Sequence, residues 1–159
     1  MSRSARISLA CLVAGGLLAG AASAGSGSMT ATCVKVLDGD TLIIECDRSR
    51  QTVELVGIDA PELDQAWGKQ VRNFVRDIVR GQELEVEILR TDGDVAVARV
   101  LVAGRDLSEM LVGTGLAWVA EGASDPELER LCAKAQELPC GLWLDAEPVP
   151  PWEFRGVSS

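Results

Sequence analysis

Histidine and tyrosine are both absent from the 159 residues, and phenylalanine occurs only twice. Without histidine, and without any Cys-x-x-Cys pair, the chain lacks the ligand pattern of a zinc site. Cations are scarce: 15 lysines and arginines stand against 24 aspartates and glutamates, a formal charge of −9. Such a chain is repelled by nucleic acid at long range, which counts against a nucleic-acid partner. Solubility alone also accounts for an acidic excess. No internal repeat is visible.

What is present begins with a targeting pattern. Arg3 and Arg6 form a basic start, Ile7 to Ala22 is apolar and rich in glycine and alanine, and Ala22-Ser23-Ala24 is a small-x-small cleavage site. Residues 1–24 are therefore read as a signal peptide and 25–30 as a linker. The apolar run, about 16 residues, is short and not greasy enough for a stable membrane anchor. The expected product is an exported monomer, periplasmic or secreted. Loss of Arg3 and Arg6 takes its charge from −9 to −11.

Cleavage leaves four cysteines: Cys33, Cys46, Cys132 and Cys140. An even number in a small exported domain predicts two disulfides. Cys33 and Cys46 lie symmetrically about the turn that follows Leu37. Facing residues there would be about 4.5–5.5 Å apart at Cα, within disulfide range. Cys132 and Cys140 remain for a second bridge.

The β-rich runs on either side of Asp38-Gly39-Asp40 predict a hairpin, and Gln51 to Gly57 a third strand. Val71, Phe74, Val75, Ile78 and Val79 follow helical spacing, with Gly81 at a stop position. Leu84, Val86 and Ile88 alternate with glutamates, and Val95 to Val102 forms a further strand. Asp106 and Asp125 are N-cap candidates for two more helices, with Glu109 at a capping-box position and Pro126 at the first turn. Pro148 to Pro151 is expected to be extended. The order predicts an α+β domain built on a small barrel.

Five pieces then recur in a specific order: Val36-Leu37-Asp38-Gly39-Asp40-Thr41-Leu42, Leu55-Val56-Gly57-Ile58-Asp59-Ala60-Pro61-Glu62, Gly115-Leu116-Ala117-Trp118-Val119, Gly141-Leu142-Trp143 and Pro151-Trp152-Glu153-Phe154-Arg155. Together they resemble the thermonuclease, or staphylococcal nuclease-like, family over residues 31–155, leaving 156–159 as a tail. The resemblance implies a five-stranded OB-fold barrel with three helices. It also implies calcium-dependent hydrolysis of DNA or RNA.

Carried over by position, the resemblance implies that Asp40, Asp59 and the backbone carbonyl of Ala60 hold calcium, and that Glu62 is the general base. Hard oxygen donors from separate segments suit that ion. The two arginines that would bind the phosphate fall on Glu54 and Val95, neither of them basic. The family's tyrosine after the Gly-Leu-Ala strand falls on Glu121. Losing one donor to a transition-state anion costs about 10²–10³ in rate. The leading expectation is thus a pseudoenzyme that keeps a calcium site or serves as a binding module for a protein partner. The alternatives are an active calcium-dependent nuclease or phosphodiesterase with rearranged cations, and a structural remnant. Lys35, Arg50, Arg90 and Arg99 are the cations that could reach the site.

Overall fold

The computed structural model describes residues 27–157, so the targeting segment lies outside the described residues. In chain order the elements are β1 (Met29–Val36), β2 (Thr41–Cys46), β3 (Ser49–Leu55), β4 (Ile58–Asp59), α1 (Gly68–Val79), β5 (Glu83–Asp92), β6 (Val95–Val102), β7 (Arg105–Asp106), α2 (Leu107–Gly113), β8 (Trp118–Val119), α3 (Pro126–Glu137), a 3-10 turn (Gly141–Leu144) and α4 (Pro151–Val157). The sheet runs β3-β2-β1-β5-β6-β7, and a parallel pairing of β3 with β6 closes its first five strands into a barrel. β4 and β8 form a separate two-stranded ribbon. This is the α+β, OB-type barrel the sequence predicts.

Alternation decides what fills the barrel. Leu42 and Ile44 of β2, Val53 and Leu55 of β3, Leu84 and Val86 of β5, and Ala98 and Val100 of β6 are all buried. Val71, Val75 and Val79 of α1 are buried too, with Phe74 and Ile78 packed at the margin, and Gly81 ends the segment at a φ of 67°. Asp106 caps α2 by accepting from the Ser108 and Glu109 amides, and Asp125 caps α3 by accepting from Glu127 and Leu128. Asp125→Ala removes those two bonds and is expected to cost about 1 kcal/mol, read as a lower urea midpoint. Gly115 and Gly141 meet backbone to backbone: Leu142 N–H donates to the Gly115 carbonyl at 2.8 Å, and a Cβ on either glycine would strike the other strand of chain. That contact explains why two of the recurring motifs begin with glycine.

Five expectations are corrected. Three helices are expected, and the described residues form four. Pro151 begins α4 instead of ending an extended tail: its fixed φ suits a first helical turn, and the Pro150 carbonyl accepts from the amides of Glu153 and Phe154 at 3.1 Å. The linker is shorter than 25–30, because Met29 and Thr30 already pair with Val86 and Glu85. The Cys33–Cys46 bridge is not formed. The turn pairs Val36 rather than Leu37 with Leu42, and a bulge between Cys33 and Lys35 shifts the register by one more, so Cys33 faces Ile44 while Cys46 faces Ser49 on β3. Cys132 and Cys140 are not bridged either: all four are free thiols, and burial raises the pKa of Cys33 and Cys132 above the ordinary thiol value.

Candidate active site

The hairpin turn is built to present Asp40. Asp38 Oδ1 accepts from the amides of Asp40 (3.2 Å) and Thr41 (2.7 Å), an aspartate turn that sets the direction of the next residue. Gly39 permits the turn to lie flat on its neighbours: a Cβ there would come within 2.5 Å of Ala60 Cβ and 2.7 Å of Val71 Cγ1. Asp40 then reaches across the gap. Its Oδ2 accepts from the Ala60 amide at 2.5 Å and its Oδ1 from Thr41 Oγ1 at 3.1 Å. Its own carbonyl accepts from Leu55 N–H at 2.9 Å, which ties the turn to β3.

The second acidic element is the loop after β4. Asp59 and Glu62 point at one guanidinium, that of Arg155 on α4. Arg155 donates to both oxygens of Asp59 at 3.1 and 2.7 Å and to Glu62 Oε1 at 2.7 Å. These bonds, first with Asp59 and then with Glu62, raise its pKa above the ordinary arginine value. Gln65, a buried polar side chain, holds the same two segments together through neutral bonds. Its Oε1 accepts from the Glu62 amide at 3.1 Å and its Nε2 donates to the Val149 carbonyl at 2.6 Å.

Asp38, Asp40, Glu54, Asp59, Ala60, Glu62, Arg90 and Arg155 all line one cavity of about 440 Å³. The acidic positions that the resemblance implied are therefore gathered in one place. Glu54 is there too. It stands in a row across four strands, Thr41, Glu54, Val97 and Arg90, each paired with the next. Val95 is not among the lining residues; it sits two pairs further along, opposite Thr52, and Val97 takes its place at the cavity.

Of the four cations considered from sequence, only Arg90 lines the cavity. Arg50 pairs with Glu45 at 2.9 Å and Arg99 with Asp106 at 3.3 Å. Arg90 is brought in by a bulge between Ile88 and Arg90. The extra residue, Leu89, is exposed, and parity flips so that Arg90 shares the outer face with Val97. Nothing in the local pattern signals that bulge. Arg155 was visible only as the last residue of a recurring motif, with no role attached.

Electrostatics at the site are dominated by Asp40. Its pKa is pushed up to about 8, chiefly by burial and further by the neighbouring charges of Asp38 and Asp59, against the lowering effect of the Ala60 amide. A carboxylate so placed, with neutral hydrogen-bond donors as partners, is stabilised by any cation that reaches it. The donor chemistry fits calcium: Asp40, Asp59 and the Ala60 carbonyl are hard oxygens on one cavity wall. As arranged, however, no three acidic or thiol side chains among the described residues are grouped to hold an ion.

The site is thus a carboxylate-lined cavity between the hairpin turn and the β4 loop of a five-stranded barrel. Residues 52–145 match the family described as staphylococcal nuclease homologue. An uncharacterised endonuclease of Escherichia coli is 36% identical over 125 residues, covering 77% of this chain and 82% of that protein. Protein ParB of Escherichia coli is 34% identical over 139 residues, covering 79% and 78%. A micrococcal nuclease of Shigella flexneri is 30% identical over 138 residues, covering 79% of each. The chain belongs to the staphylococcal nuclease homologue family.

Proposed function

We propose that the chain is an exported thermonuclease-family domain that binds a divalent cation in its acidic cavity and cleaves phosphodiesters poorly. The observation that carries this reading is the place of Glu54. It shares the cavity with Asp40, Asp59 and Glu62, so an incoming phosphate meets a carboxylate where the reaction calls for a cation. Asp40, Asp59 and the Ala60 carbonyl would hold calcium, which when bound polarises a phosphate oxygen. Glu62 would take the proton of the attacking water. Neither Glu54 nor Val95 can supply the fork that a guanidinium offers to phosphate oxygens. The same acidity fits a monomer acting in the periplasm or outside the cell, where it meets calcium or a protein partner rather than nucleic acid.

A second reading has one observation in its favour. Arg90 lines the same cavity, two strands from Glu54 and so about 10 Å away across the sheet. A phosphate drawn to Arg90 would make the chain an active calcium-dependent nuclease with a relocated cation.

Two measurements separate these readings. Calorimetry is expected to show calcium binding to the parent protein and none to Asp40→Ala. A plasmid digest with calcium is expected to be slow, on the order of 10² below a relative that keeps its arginines. Fast digestion by the parent selects the second reading, and identical thermograms for parent and Asp40→Ala remove the cation site.

A further inference from the structure

The three bonds from Arg155 to Asp59 and Glu62 join residues more than 90 positions apart in sequence, and they use both oxygens of Asp59. Asp59 is also the carboxylate to which the cation reading assigns a metal. An oxygen whose lone pairs already accept from a guanidinium is a poor ligand for calcium, and a calcium ion at that carboxylate repels the guanidinium. We infer that Arg155 is an internal competitor for the cation, so that α4 sets how tightly the cavity binds calcium. The inference rests on the cation-site reading above.

Several features suit this role better than that of a plain structural ion pair. Arg155 is half-exposed, whereas Asp59 is mostly covered, so the guanidinium approaches from the solvent side and has somewhere to go when displaced. It is held by a short helix, α4, of seven residues. The segment around that helix has attachments besides the ion pair. Gln65 fixes the Val149 carbonyl, and Phe154 lines a separate cavity of about 230 Å³ together with Trp67 and Trp118. When Arg155 leaves Asp59, those attachments remain to α4. The Asp40 arm is set independently of Arg155, by the hairpin turn and by Ala60.

The charge arithmetic points the same way. Even without Asp40, the carboxylates of Asp38, Glu54, Asp59 and Glu62 line the cavity, more negative charge than the guanidiniums of Arg90 and Arg155 balance. A divalent ion at Asp59 and Asp40 would neutralise more of the cluster. Arg155 therefore lowers the apparent affinity by the fraction of molecules in which it is closed on Asp59.

The test is calcium calorimetry on the parent protein and on Arg155→Gln. The variant keeps much of the length and polarity and loses the charge, and its melting temperature is measured alongside. Arg155→Gln is expected to bind calcium several-fold tighter, about three- to tenfold for a half-exposed pair. Arg155→Lys keeps the charge without the fork and is expected to fall between the two. A purely structural arginine gives the opposite sign, since loosening α4 would weaken the site. A second readout uses the parent alone: calcium is expected to speed tryptic cleavage after Arg155, followed by mass spectrometry of the shortened chain. Equal or weaker calcium binding by a folded Arg155→Gln, with calcium-independent trypsin cleavage of the parent, overturns the inference while leaving the cation site intact. If neither protein binds calcium, the cation-site reading falls and this inference falls with it. If Arg155→Gln does not fold, the Arg155→Lys affinity and the trypsin rate decide.

Discussion

Plasmid DNA incubated with Glu54→Arg protein and calcium is expected to be nicked about 10- to 100-fold faster than with the parent. The position tolerates the change. Glu54 is exposed on β3 between buried Val53 and Leu55, and its neighbours in the row, Thr41 and Val97, carry no charge. Reversing the sign there removes a repulsion and adds a bidentate donor at the wall of the cavity that holds Asp40 and Glu62. Glu54→Gln is the control, because it removes the repulsion without adding the fork. A gain for Glu54→Arg no larger than that for Glu54→Gln means that the missing arginine is not what limits cleavage. Adding Val95→Arg is expected to contribute less, since Val95 stands outside the cavity, opposite Thr52. The two groups would also serve one transition state, so their effects would not multiply.

Asp40→Asn is expected to stabilise the protein at pH 8 by about 2–3 kcal/mol in the presence of a chelator. The folded Asp40 carboxyl titrates near 8, far above its value in an unfolded chain. Between about pH 4 and pH 8 the folded state therefore keeps a proton that the unfolded state releases. Stability falls as pH rises through that window and is greatest below it. Every tenfold difference in proton affinity between the folded and unfolded states is worth about 1.4 kcal/mol, but Asp40 retains some contact with solvent, so only part of the full difference is expected. Asparagine resembles the protonated acid and can still accept from the Ala60 amide. Thermal melts at pH 5 and pH 8 should thus show a smaller pH dependence for Asp40→Asn than for the parent. An unchanged slope would mean that Asp40 ionises freely in the folded protein.

The elements that announce themselves by period were legible in the sequence. The helix carrying Val71, Val75 and Val79, the alternating β5 and the capped α2 and α3 all lie where their patterns predict. So does the turn at Asp38, because its chemistry is local. What escaped is set by single-residue irregularities and by distance along the chain. Two bulges leave no mark in composition. One moves Cys33 from Glu45 to Ile44, a residue further from Cys46, and the other turns Arg90 to the cavity face. The prolines before α4 pointed to extended chain, yet Pro151 is a favourable first helical residue. Arg155 meets Asp59 across 96 positions, a separation at which no periodicity can help.

The parallel pairing of β3 with β6 has a consequence for how the chain acquires its structure. Thr52 and Val95 adjoin in the sheet but are separated by α1 and β5 in the chain, so the seam cannot form until the intervening segment has closed a long loop. Loop closure is an entropic cost met before the pairing returns anything, which makes the seam a late event in folding. Until then β3 and the first half of β6 each expose a row of unpaired backbone groups. Such open edges accept strands from other molecules as readily as from their own. Once the seam is made, β3 covers the first half of β6 and β7 covers the end of it, and little of the β6 edge is left for a second copy to join.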